Sequence, residues 1–136
     1  MSYGTYPDIE SAVVDTLNAS SAIETIAGAD CASTELPPEA TLPRIRVSLS
    51  GGTAVMSGWL YAPRINIEAW ADDKETAFDL LSTASAVLLA ELDGALLTQG
   101  VVTGFTQETG VSWSPDPTTK TPRYLAGFVA YTHPNP

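Results

Sequence analysis

Two runs near the middle of the chain alternate apolar and polar residues with a period of two, and a helical pattern follows the second at once. From Arg44 to Leu49, Ile45, Val47 and Leu49 fall on one side and Arg44, Arg46 and Ser48 on the other. From Ala62 to Trp70, Ile65, Ile67 and Ala69 point inward while Arg64, Asn66, Glu68 and Trp70 point outward. Successive side chains of a strand point to opposite faces, so such alternation marks strands with one buried side. Such a sheet needs a layer to cover that side, and the next segment is suited to supply it. Asp72 with Glu75 resembles a capping box, Ala77, Leu81, Ala84, Leu88 and Leu92 form an apolar stripe, and Gly94 is a natural stop. At 1.5 Å per residue this helix is expected to run about 30 Å.

The rest of the chain fits around that unit. Ile9, Val13 and Leu17 recur every four residues, which predicts a helix over about Tyr6 to Ala19, with Thr5 and Asp8 as its capping pair and Pro7 in its first turn. Between Ser20 and Pro43 the reading stays open: residues 22 to 27 suit a helix extension or a short strand. Gly28, Pro37, Pro38 and Pro43 then interrupt regular structure, so residues 35 to 43 read as an extended arm or loop. Ser50 to Gly58, with three glycines, reads as a long hairpin loop tipped by Met56, Trp59 and Tyr61. Two further strands are predicted, from Val101 towards Trp113 and from Arg123 to Thr132, joined by the turn-rich Ser114 to Pro122. Pro134 to Pro136 is expected not to extend a sheet. Arg44 or Arg46 should sit across from Glu68, a pair worth under about 1 kcal/mol if exposed.

The order helix, strand, strand, helix, strand, strand describes an α+β fold, with an antiparallel four-stranded sheet and helices on one face. With 136 residues one domain is expected, residues 1–43 forming the N-terminal helix and Pro-rich arm and residues 44–133 the sheet and main helix. The second half of the main helix, Ala86 to Ala90, is apolar nearly all round. A loop or a neighbouring subunit must cover it, and the small size of the chain favours the subunit.

Charge narrows the partners. The net charge is −10, and residues 1–43 hold seven carboxylates (Asp8, Glu10, Asp15, Glu24, Asp30, Glu35, Glu39) without a Lys or Arg. Such a chain lacks the basic footprint needed to grip phosphates, which argues against sequence-specific DNA binding. Acidic surface suits solubility, or a passage through which a polyanion moves without sticking. The N-terminus has no basic segment followed by an apolar one, and no apolar run of about 18 residues occurs, so neither a cleaved signal nor a membrane helix is expected.

Catalytic constellations are wanting. His133 is the only histidine and lies near the C-terminus beside Pro134, a poor place for a general base. Asp72 and Asp73 resemble a carboxylate pair but sit where a helix cap belongs. Gly51 and Gly52 lack the Lys and helix of a phosphate loop. Cys31 is the only cysteine, so no intrachain disulfide can form, no Cys/His metal site is available and no cofactor is expected. The protein is therefore read as non-enzymatic.

One resemblance covers about residues 5 to 133. The ordered set Thr-Glu-Leu-Pro (34 to 37), Leu-Pro-Arg-Ile-Arg-Val (42 to 47), Gly-Gly (51 to 52), Pro-Arg-Ile-Asn-Ile-Glu-Ala-Trp-Ala (63 to 71), the Ala/Leu-rich helix, Ser-Pro-Asp-Pro (114 to 117) and Pro-Arg-Tyr (122 to 124) is similar to tail terminator proteins of long-tailed phages, especially those of actinobacteria. The resemblance implies a lambda-like α+β subunit that assembles as a homohexameric ring on the finished tail tube. It also implies, as partners, the major tail tube protein and a head-completion or connector protein, and DNA that passes through the ring. The protein would then belong to the virion's head–tail junction, and to the host cytoplasm during assembly. Ring closure needs two different surfaces per subunit. Aromatic residues and arginines are the usual anchors of interfaces, which singles out Arg44, Arg46, Arg64 and Trp70 on the outward strand faces and Trp59 and Trp113 near loop tips. Plain packing is the competing reading for each Trp. Acidic side chains are expected to face the opening. Another head–tail connector or tail-completion ring protein is the alternative, followed by a small binding module.

Overall fold

The computed structural model describes residues 5–35 and 41–135. Their elements are α1 (Ile9–Asn18), α2 (Ser21–Ala27), β1 (Ala32–Ser33), β2 (Arg44–Met56), β3 (Leu60–Trp70), α3 (Lys74–Glu91), β4 (Gly100–Trp113) and β5 (Arg123–Pro134). The strands form one five-stranded sheet in the order β1-β2-β3-β5-β4. The α+β class expected from the sequence is present, but the sheet is mixed rather than four-stranded and antiparallel. β1 adds a parallel edge pair, Ala32 with Ile45 and Ser33 with Arg46. Two residues are too few to show a period. They are held from a distance, because the Asn18 side chain donates to the Ala32 carbonyl and accepts from the Ala32 amide, both at 3.0 Å.

Local capping explains where the helices begin. α1 starts later than its apolar spacing suggested, since Asp8 rather than Thr5 is the cap and accepts the Ser11 amide at 3.1 Å. The open segment after it forms α2, capped by Ser20 and ended by Gly28 at φ 84°. That positive φ is where a glycine costs least. Residues 36–40 of the expected arm lie outside the described residues. α3 is capped by Asp73, not Asp72: its carboxylate accepts the Thr76 amide at 2.8 Å and the Thr76 hydroxyl at 2.9 Å.

The five stripe residues of α3 are all buried, with Leu80 and Ser85 widening the stripe. They pack on Ile45, Val47, Ile65, Ile67, Ala126 and Phe128 from the sheet in one core, which α1 closes with Ile9, Val13 and Leu17. In the apolar second half of α3, Leu88 is buried and Val87 half-buried, whereas Ala86 and Ala90 are exposed. Leu89 remains exposed there.

Two expected boundaries are corrected. The stretch read as a long loop, Ser50 to Gly58, is mostly strand: β2 continues to Met56 and pairs with β3 as far as Leu60, with register shifts between Leu49 and Gly52 and between Ala54 and Met56. Gly51 and Gly52 mark a bulge, and Gly58 lies in the turn that follows at φ 78°. The turn is tight, the Trp59 amide donating to the Met56 carbonyl at 2.9 Å. At the C-terminus Pro134 does lie in the sheet, opposite Gly100. The last residue of a strand tolerates a missing donor.

Candidate interaction surfaces

The sheet face turned away from the helices carries one connected polar cluster. Across β2 and β3, Arg46 lies opposite Glu68 and Arg44 opposite Trp70, while Arg123 of β5 lies on the other side of Trp70. Arg46, not Arg44, is the partner of Glu68: its Nη2 stands 2.8 Å from Oε1. Arg123 Nη1 approaches Oε2 of the same carboxylate at 3.6 Å, an ion pair without a hydrogen bond. Arg123 is anchored by donating from Nε to the Ser114 carbonyl at 2.8 Å. The two guanidiniums also lie over the Trp70 ring, their Cζ atoms 5.5 and 5.6 Å from its centroid. Trp70 is left only 4% exposed, so on this outward position it packs within its own chain. Alternation placed Trp70 on the outer face correctly. It could not show that two arginine stems would cover the ring.

Arg44 turns the other way, towards β1. It donates to the Ser33 hydroxyl at 3.2 Å and the Asp30 carbonyl at 3.4 Å. Arg64 is more open and meets Glu108 of β4 at 3.5 Å. Arg123 is the member of this cluster that the sequence reading left out. Its position at the head of a strand, level with Trp70, was the available signal.

A second surface lies at the far end of β2 and β3. Trp59 is 41% exposed and stacks on the His133 ring at 4.7 Å and 14°. Tyr6 packs on Tyr61 with ring centroids 4.8 Å apart, and its hydroxyl accepts the Gly58 amide at 3.0 Å. Val55, Met56 and Tyr131 are exposed near the same end, and Leu49, expected on the buried side of β2, is exposed midway along it. A third surface lies at the opposite end of the sheet, where Trp113, 44% exposed, leans on Tyr124 and carries the Lys74 ammonium 4.6 Å above its ring. The six sequence-picked residues thus do not form one site. Arg46 and Trp70 share a cluster, Arg44 and Arg64 flank it, and Trp59 and Trp113 mark opposite ends.

Charge is divided between the layers. The helices and their flanking turns, residues 5–30 and 72–93, hold Asp8, Glu10, Asp15, Glu24, Asp30, Asp72, Asp73, Glu75, Asp79, Glu91 and Asp93 against Lys74 alone, which accounts for the whole net charge of −10. The remaining residues carry five carboxylates (Glu35, Glu39, Glu68, Glu108, Asp116) and five basic groups (Arg44, Arg46, Arg64, Lys120, Arg123) and are balanced.

An open depression of about 590 Å³ lies between α1 and α3, lined by Asp15, Thr16, Glu91 and Leu97 among others. It contains no histidine, cysteine or basic group that could pair with its carboxylates for acid–base work. Among the described residues no group of three or more His, Cys, Asp or Glu side chains could hold a metal ion, and no helix is long and apolar enough to cross a membrane. Burial raises the Cys31 thiol pKa above its ordinary value.

No family model matches the chain, and no curated protein matches it in sequence. Among solved structures the fold matches a chain from the virion of a native gene transfer agent particle, with a TM-score of 0.72 and 18% identity, over 92% of this chain and 94% of that one. The chain therefore has the α+β fold of a component of a phage-like particle, matched over nearly its full length.

Proposed function

We propose that the protein is a structural component of a phage-like virion, and specifically a tail terminator: a ring subunit that caps the tail tube, ends its polymerisation and offers a docking surface to the head. The observation that carries this reading is the near end-to-end fold match to a gene transfer agent virion chain. The ordered sequence resemblance to phage tail terminators points the same way. Aromatic groups exposed at both ends of the sheet suit contacts with other chains.

In this reading Trp59, Arg64 and Trp113 supply contacts between subunits or to the tube. Arg44, Arg46 and Trp70 brace the strands that present them. The ring is a homohexamer whose other partners are the tube protein and a head-completion protein. The acidic helical layer faces the passage, where like charge keeps DNA mobile. The single domain spans the whole chain, has no enzymatic role, and acts at the head–tail junction.

The test is tail length. Particle-producing cells lacking the protein should make tubes of uncontrolled length, and added protein should bind tube ends and restore a fixed length. Normal tubes that fail only to join heads would instead assign it to another connector of the junction. A protein that stays monomeric with tube ends present would defeat both.

A further inference from the structure

Both outer edges of the sheet are open over long stretches. β1 covers β2 only at Ile45 and Arg46, and the Glu10 carboxylate takes the Leu49 amide at 3.1 Å. From Ser50 to Met56 the outer edge of β2 has no further strand among the described residues. On the other side, the first half of β4 is closed by the Ala95 carbonyl, which accepts the Val102 amide at 2.9 Å, and by Asp93, which accepts the Phe105 amide at 3.0 Å. From Thr106 to Trp113 its edge is likewise without a strand among the described residues.

Exposed edges are usually made short or blocked by charge and proline. β2 and β4 are instead 13 and 14 residues long, against a common strand length of about 5–6. The β2 stretch contains neither a charged residue nor a proline; the β4 stretch contains only Glu108, which Arg64 already meets. Bulges bend both stretches without closing them.

Strand direction selects the partner. β2 is antiparallel to β3, β3 to β5, and β5 to β4, so the two edge strands run in opposite senses. A second copy placed beside the first by rotation about an axis to which the strands are tilted presents its β2 to β4 in the antiparallel sense, and every further copy repeats the step. The chain therefore carries both halves of one antiparallel ladder on different edges, the heterologous contact from which rings are closed. Leu49 is level with Gln107 through Ile65 and Phe128, so the open halves lie towards opposite ends of the strands. Pairing them staggers adjacent copies, as closure of a sheet with tilted strands requires.

We infer that subunits join through their sheets, residues 50–56 of one copy pairing with residues 106–113 of the next. The inference rests on the ring reading of the previous subsection and adds which surfaces close it. Within one chain Thr53 and Gly110 are separated by β3 and β5, about 14 Å across the strands at ordinary spacing and further again along them, beyond the roughly 7 Å a disulfide spans. Thr53→Cys combined in turn with Thr109→Cys, Gly110→Cys or Val111→Cys should therefore give, on mild oxidation of the full chain, a ladder of covalent multimers on a non-reducing gel. The single variants should give none, and neither should the parent with its buried Cys31. A ring mass in solution with no cross-link in any of the three pairings would overturn the sheet-to-sheet contact and leave the ring reading standing. Covalent dimers from the single variants would replace it with a two-fold edge contact. A chain that is monomeric by mass and uncross-linked would refute both readings.

Discussion

Replacing Glu68 by glutamine isolates the charge that organises the outer sheet face, because size and shape are kept. Glu68 is 13% exposed by side chain and bridges Arg46, 39% exposed at 2.8 Å, and Arg123, 17% exposed at 3.6 Å. Breaking a fully buried pair costs about 3–5 kcal/mol, and an exposed one about 0–1. The Arg46 pair has the better distance but is screened by solvent, while the Arg123 pair is drier but too long for a hydrogen bond. Each should fall near 1 kcal/mol, so Glu68→Gln should cost about 2 kcal/mol in all. Two guanidiniums left over one Trp70 ring would repel each other, which opposes any relief from lower desolvation. Urea unfolding should show a lower midpoint with an unchanged slope, since the surface exposed on unfolding is unchanged. In 1 M salt about half of the loss should persist, because the Arg46 pair is screened while the Arg123 pair is shielded from ions. A loss below about 0.5 kcal/mol, or one abolished by salt, would refute the claim that this cluster is partly buried and braces the strands.

Three further outcomes follow from single contacts. Gly52→Ala should destabilise the protein by about 1–3 kcal/mol in thermal unfolding, because φ is 138° there and an added Cβ would collide with the Ala62 carbonyl oxygen. Hydrogen bonds from the Thr76 amide and hydroxyl lower the pKa of Asp73, and those from the Thr119 and Thr118 amides lower that of Asp116, relative to an ordinary value of 3.8. Their stabilisation is therefore present above that value and lost as pH falls through the lower folded value; the Tm gap between parent and Asp73→Asn should be full at pH 7 and should close as acidification goes below 3.8. Cys31 should resist alkylation at pH 8 in the native protein and react fully in urea, since burial both hides the thiol and raises its pKa. Rapid native labelling would show that α1 and β1 do not close over it.

Local pattern was enough wherever a side chain's direction follows from its own neighbours in sequence. Period two located β2 and β3, and period four located α1. The apolar stripe of Ala77, Leu81, Ala84, Leu88 and Leu92 follows from spacing alone, and alternation narrows the partner of Glu68 to Arg44 or Arg46. The same reasoning failed where pairing came from afar. β1 exists because Asn18, 14 residues away, holds Ala32 beside β2. The Gly-containing part of β2 looked like a loop because bulged strand and turn share a composition, and only pairing with Tyr61 to Pro63 distinguishes them.

The candidate surfaces divide along the same line. Sequence alone determined that the chain is acidic, has a single histidine and a single cysteine, and places arginines and Trp70 on the outward side of its strands, because charge, residue inventory and strand alternation need no tertiary information. Only the tertiary structure decided that Trp70 is covered by Arg46 and Arg123, that Trp59 and Trp113 stand at opposite ends, that the helical layer holds the whole net charge, and that two long edges carry no further strand among the described residues. Those properties depend on which strands lie side by side, and strand order is set by contacts between residues far apart in the chain.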